Sequence, residues 1–346
     1  MTDTSRSGRG ARTGRARRRP TAATAATAVA AAAAAALAVS LSAAGCTSSG
    51  GSSPPDDGRS ASHSPSPTGT GTGAAVGPVL AVKIDNAPEA RPQTGLDSAD
   101  VVYAEQVEGG LSRLMAVYAS RLPKAVGPVR SARESDLELL RQFERPVLAF
   151  SGAQGKLLPL IDRAPLDAVT PEKKSDAYVR GGERPAPHNL YLRPSRLLPA
   201  APGKDALTTG FRFGPAPSGG RAETSRTVRY PAAGFTFTWS ASRGRWLVST
   251  DGRPTVATDG QRLAPATVVV QYVRVRASGF HDFLGNNTPY TQTVGSGKAE
   301  VLRGGRAYDV NWKRAKAEDG TEFSTADGEP VAFAEGQVWV VFAKAP

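Results

Sequence analysis

Short apolar runs that end at acids or turn residues set the rhythm of the chain from Val79 onward. Val79–Ile84 (VLAVKI) predicts a strand that stops at Asp85-Asn86. Val101–Tyr103 and Leu114–Tyr118, with Glu108-Gly109-Gly110 between them, predict a β-hairpin. The period then lengthens. Ser131-Ala132-Arg133-Glu134 matches a capping box, and Leu137, Leu140 and Leu139, Phe143 follow at helical spacing. Val147–Phe150 predicts another strand, then a Gly-rich turn at 151–155 and a short helix from Lys156 to Asp162. Strands alternating with helices predict an α/β (or α+β) N-terminal domain over residues 79–205.

Beyond Pro202 helical periodicity nearly vanishes. Runs at 235–239, 245–250, 267–276, 290–294, 298–303, 306–312 and 337–342 predict strands. They are separated by turn signals at Asp251-Gly252, Asp259-Gly260, Gly285-Asn286-Asn287, Gly304-Gly305 and Asp327-Gly328. This pattern predicts a mainly-β C-terminal domain over residues 225–346, a meander or open sandwich. The Pro- and Gly-rich stretch near residues 200–225 is the expected division between the two.

Residues 1–46 follow a different logic. Seven arginines between Arg6 and Arg19 precede an alanine- and threonine-rich segment, from about Thr21 to Leu41. Ala43, Ala44 and Gly45 then lead into Cys46, the chain's one cysteine. This is the layout of an export signal. It resembles the bacterial lipoprotein signal, in which the cysteine is lipidated and becomes the mature N-terminus, although Ala43 stands where that signal usually has leucine. A plain cleaved signal with an incidental cysteine is the alternative. The segment has too few large apolar side chains for a stable membrane span. Residues 47–78, rich in Ser, Gly, Pro and Thr, read as a tether. The expected location is extracytoplasmic, at the cell membrane through a lipid anchor.

The formal charge of +12 looks at first like a nucleic-acid signature. Residues 1–46 alone account for half of it, which leaves the rest only mildly basic, and no nucleic-acid partner is expected. With a single cysteine the chain has no internal disulfide, so folding must rest on a packed core.

The densest polar block lies between Asp85 and Arg133, at predicted strand ends and turns. Arg130 and Arg133 flank the predicted helix start, and Arg113 lies on the hairpin strand upstream. Guanidinium groups suit phosphate or carboxylate, so these three form a candidate anion site. The competing reading pairs Arg130 and Arg133 with Glu105, Glu108 or Glu134 as structural salt bridges. Asp85 and Glu105 are candidate ligand-binding acids; with Glu108 they could hold a magnesium ion or serve as a base, so a divalent cation stays open although no cofactor is evident. His188, between prolines 185 and 187 and Asn189, is a candidate ligand or acid–base group. No spacing of Cys and His suits zinc, and neither a nucleophile elbow nor a nucleotide P-loop is present.

Several long motifs resemble the YerB-like family of bacterial lipoproteins, a family without an established activity. They are VKIDN (82–86), ARPQTGL (90–96), SADVVYAEQVEGGLSRLMAVY (98–118), GPVRSAR (127–133), APHNLY (186–191) and TVGSGKAEVLRGGRAYDVNWKR (293–314). The resemblance implies a lipoprotein context and no mechanism. Joined to the residues, it leads to the expectation of a protein that binds an anionic ligand of the cell envelope. The rivals are an enzyme acting on a phosphate-bearing or polyprenyl-linked glycopolymer, and a protein–protein scaffold at the cell surface.

Overall fold

The structure is a computed structural model describing residues 77–282 and 284–346. The signal-like segment, Cys46 and most of the 47–78 tether lie outside the described residues. The first segment contains β1 (Leu80–Asp85), β2 (Val101–Gln106), β3 (Ser112–Tyr118), α1 (Glu134–Leu140), β4 (Val147–Ala149), α2 (Leu158–Arg163), β5 (Asp167–Val169), β6 (Tyr178–Arg180) and β7 (Leu190–Leu192). A strap follows with β8 (Arg212–Phe213) and β9 (Arg221–Ala222), then β10 (Ser225–Arg229), β11 (Gly234–Ser240), β12 (Arg245–Thr250) and β13 (Arg253–Pro254). The chain closes with β14 (Thr267–Val273), β15 (Val275–His281), β16 (Asn287–Thr291), β17 (Gly295–Arg303), β18 (Arg306–Arg314), β19 (Glu322–Ser324), β20 (Ala332–Phe333) and β21 (Val338–Lys344).

Strands from both predicted segments share one sheet, in the order β19-β18-β17-β14-β21-β2-β3-β1-β4-β5, with β9 added at β18. The join is β21, which runs parallel to β14 on one side and to β2 on the other, with Val101 opposite Val338 and Ala104 opposite Val341. Its sequence Val-Trp-Val-Val-Phe is buried at every position. A central parallel strand covered on both faces needs a continuous apolar run rather than an alternating one.

Alternation along the central strands sorts side chains between two cores. On one face Leu80, Val82, Ile84, Val102 and Val341 pack against Phe235, Phe237, Trp246 and Val248 of the meander β10–β13. Trp339 sits at this interface, edge-on to Phe235 and Phe237 at 6.0 and 5.9 Å between ring centroids. On the other face Ala81, Tyr103, Val117 and Val340 meet Leu139, Leu140 and Phe143 around α1, and Ile161 of α2. The chain is mainly β. The α-helices among the described residues have seven and six residues, so the alternation expected over 79–205 appears there as one parallel strand–helix–strand unit, β4–α2–β5.

The predicted cap of α1 is displaced. Ser131 does not start the helix; Arg133 does, and its backbone N–H donates to Asp136 Oδ2 at 2.6 Å. Asp136 is already fixed by Lys83, whose Nζ lies 2.6 Å from Oδ1, and this buried anchor sets the frame. Residues 131–133 therefore stay outside the helix, with Arg133 extended.

Polar contacts also bind α1 to the C-terminal segment. Glu138 Oε1 accepts the N–H groups of Thr293 and Val294, and Oε2 accepts the Tyr290 hydroxyl. Arg314, 1 % exposed, donates to the Asp319, Glu138, Leu139 and Ala317 carbonyls and to Thr293 Oγ1. This lock ties β18 to α1 across the segment boundary.

Candidate functional site

Cross-strand register builds the site. Asp85 at the end of β1, Arg113 near the start of β3 and Glu105 of β2 stand opposite one another on adjacent strands. Their side chains share a sheet face with Lys83, two residues before Asp85. Lys83 is fully buried, and a buried ammonium needs partners. It takes two, Glu105 and Asp136. Burial pushes the Glu105 carboxyl up; the Lys83 charge opposes this and the Asp136 charge adds to it, leaving Glu105 above the usual range. Glu105 is thereby committed to Lys83 rather than to its register partner Arg113.

Arg113 is left with distant company. Its side chain is 9 % exposed, and the nearest carboxylate approach is Nη2 to Asp85 Oδ1 at 4.0 Å. Its buried Nε has no hydrogen-bond partner among the described residues. Burial, then the Arg133 charge, pull the guanidinium down to about 10 against the opposing pull of Asp85. A buried arginine in this state costs free energy.

Asp85 collects the other groups. The Ala87 N–H donates to Oδ1 at 3.2 Å, while Oδ2 lies 2.9 Å from His188 Nδ1 and 3.2 Å from Arg130 Nε. Burial pushes the Asp85 carboxyl up, but Arg113, the Ala87 N–H, Arg130 and His188 outweigh it and hold it below its ordinary value. Arg130 reaches the site because residues 127–130 run beside the end of β1: Asp85 N–H donates to Pro128 O, and Arg130 N–H to Lys83 O, both at 2.8 Å. Val129 N–H in turn donates to Leu190 O, which brings His188 alongside.

Arg133 is spent on a fork. Nε and Nη2 each lie 2.7 Å from an oxygen of Glu108, and Nη1 donates to the Ser131 and Ala132 carbonyls. Glu108 Oε1 also accepts the Thr288 hydroxyl at 2.6 Å. Burial raises the Glu108 carboxyl, yet the Arg133 hydrogen bond and charge more than compensate, and it sits below the usual range. For Arg133 the salt-bridge reading therefore describes the contacts.

These groups border a cleft of about 710 Å³ lined by Arg113, Arg130, Arg133 and Glu108, by Leu111 and Leu157, and by the β15–β16 hairpin through Phe280 and Leu284. Of the sequence-predicted residues, Arg113, Arg130 and Arg133 line it. Asp85 and His188 stand behind Arg130, and Glu105 lies in the lysine cluster. Glu134 and Asp282 add negative charge to the rim, but Asp282 already accepts the Leu284 and Asn286 N–H groups of its own turn. A second cleft of about 450 Å³ contains Arg91, which Asp251 neutralises at 2.8 Å. Among the described residues no group of three or more His, Cys, Asp or Glu is placed to hold a metal ion.

Sequence reasoning passed over Lys83 and Asp136, which support the site. The signal for Lys83 was available: a lysine inside a five-residue apolar run is buried only with carboxylate partners. Thr288, Phe280 and Leu284 gave no local signal, because they reach the cleft from a hairpin far along the chain.

Two family matches span most of the sequence. Residues 67–207 match "Protein of unknown function (DUF3048) N-terminal domain", and residues 226–340 match the corresponding C-terminal domain. The chain is 25% identical over 271 residues to "Putative lipoprotein YerB" of Bacillus subtilis (strain 168), covering 75% of this chain and 80% of that protein. The crystal structure of YerB protein from Bacillus subtilis superposes with a TM-score of 0.64 at 21% identity, over 77% of this chain and 90% of that one. That structural likeness shows a shared fold. No helix among the described residues is long and apolar enough to cross a membrane.

Proposed function

The chain belongs to the DUF3048 family, and from the cleft geometry we propose that it is a lipid-anchored, extracytoplasmic binding protein for an anionic, phosphate- or carboxylate-bearing ligand of the cell envelope. The anchoring reading draws on the Cys46 signal and on the lipoprotein description of its Bacillus relative. The binding reading is carried by one observation: Arg113 is nine-tenths buried, borders the cleft, and approaches no acceptor closer than 4.0 Å among its carboxylate neighbours. An anion that accepted its N–H groups would remove the cost of its burial. Arg130, one quarter exposed, supplies a second donor from the adjoining segment. Arg133 contributes charge more than donors.

Charge-assisted hydrogen bonds contribute roughly 1.5–3 kcal/mol each. Titration calorimetry with pyrophosphate should therefore show binding that Arg113→Met weakens about tenfold or more, with a smaller loss for Arg130→Ala. Affinity should persist through neutral pH and fade as pH rises past about 10, where Arg113 loses its proton. Absence of binding by phosphate, pyrophosphate and carboxylate probes alike overturns the reading. The Asp85–His188 contact favours an enzyme as second reading, with Asp85 orienting an imidazole that handles a substrate proton. Turnover of a bound phosphate ester, lost in His188→Asn with binding intact, would select it.

A further inference from the structure

The cleft has two unlike walls. One carries Arg113, Arg130 and Arg133; the other sets the apolar side chains of Leu157 at the start of α2, Phe280 of β15 and Leu284 at the hairpin tip beside His281, Asp282 and Asn286 of the same hairpin, Asp282 being spent on its own turn. Leu111 joins them. It lies two residues before Arg113, just ahead of β3, and both residues line the cleft. The described residues expose six large apolar side chains, Leu111, Leu158, Leu160, Val179, Phe213 and Leu284. Two of the six, Leu111 at 38% and Leu284 at 71% exposure, line this one cleft, and Leu158 and Leu160 lie on α2 just beyond Leu157. The clustering leaves apolar surface beside the arginines, where a purely hydrophilic anion would not cover it.

Resting on the anion-site reading above, we infer that the ligand is amphiphilic: a phosphate monoester carrying a long apolar chain, its phosphate on Arg113 and Arg130 and the first part of its chain against Leu111, Leu157, Phe280 and Leu284. Phosphate suits the polar wall because the two arginines approach from different elements, β3 and the 127–130 segment. A tetrahedral group presents oxygens in both directions, whereas a planar carboxylate is matched by a single fork. The apolar wall gives the chain somewhere to go. Each methylene withdrawn from water tightens binding by about fourfold, so a few of them outweigh the loss of chain freedom.

Octyl phosphate below its micelle concentration is the probe, compared with inorganic phosphate, sodium decanoate and octyl glucoside on the same purified protein. Octyl phosphate should bind at least about tenfold more tightly than inorganic phosphate, and more tightly than either other amphiphile. Leu111→Ser and Leu284→Ser, both at exposed positions, should erase that advantage while leaving inorganic phosphate binding unchanged. Arg113→Met should weaken both ligands. Equal affinity for octyl and inorganic phosphate overturns the amphiphile but leaves the anion site standing. Octyl glucoside binding as tightly as octyl phosphate, or decanoate binding more tightly, overturns the assignment of phosphate. Failure of all four probes to bind removes the inference and the anion site together.

Discussion

Arg113 and Arg314 are both withdrawn from water, at 8% and 1% exposure, yet their surroundings differ in kind. Arg314 donates to four carbonyls and a hydroxyl drawn from α1, β16–β17 and the turn after β18. Arg113 has Asp85 at 4.0 Å, a buried Nε with no partner among the described residues, and two further arginines beside it. The first is what a structural arginine looks like: burial offset by a full set of acceptors. The second is a cost the fold carries without internal return, and such costs concentrate where a protein binds something. Burial alone does not separate the two cases. Hydrogen-bond saturation does.

The comparison is tested most severely by cutting the chain between the segments. Residues 79–205 expressed alone lack β21, which pairs with β2, and lack Arg314, which caps the exposed carbonyls of α1. That fragment should show no cooperative melting transition, whereas limited proteolysis of the whole protein within 214–224 should leave the two pieces associated. A fragment that melts cooperatively would mean the Arg314 lock is dispensable. A smaller effect is expected at Glu108. Glu108→Gln keeps the shape but removes the charge that holds Arg133 and accepts from Thr288, and should cost about 1.5–3 kcal/mol. It should also tighten anion binding, by freeing Arg133 to behave as Arg113 does. The Glu108 carboxyl is held below its ordinary value, so its stabilisation is present above the unfolded carboxyl range and is lost as pH falls through the folded value. The acid limb of a melting-temperature profile should therefore flatten in Glu108→Gln.

Much of this was legible in the sequence as local pattern. The β2–β3 hairpin with its Glu108–Gly110 turn, β12, β17 and β18 fall close to where period-two runs and turn residues placed them. Asp85, Arg113 and Arg130 were legible as polar residues at strand ends and turns, and His188 as a side chain presented between prolines; that they meet was not. The shared sheet was not, because parallel pairing of β21 with β2 joins residues more than two hundred positions apart and leaves no local trace. Glu105 and Arg133 show the limit in another way. Their chemistry suited a ligand, but which charge pairs with which depends on register and on Lys83, and only the fold supplies that. The start of α1 moved two residues for the same reason, since Asp136 was fixed by a lysine on β1.

The central claim is that Arg113 is held for a ligand and Arg314 for the fold. Its most direct test is the melting temperature of the wild type, Arg113→Met and Arg314→Met, each with and without pyrophosphate. Arg314→Met leaves buried acceptors unsatisfied at about 1–3 kcal/mol each, so it should melt roughly 10 °C lower and retain the full pyrophosphate shift. Arg113→Met should melt at or above the wild-type temperature, because its charged guanidinium costs stability at every pH below about 10, and should lose the pyrophosphate shift. A large fall in the melting temperature of Arg113→Met, with its pyrophosphate shift unchanged, would contradict the account.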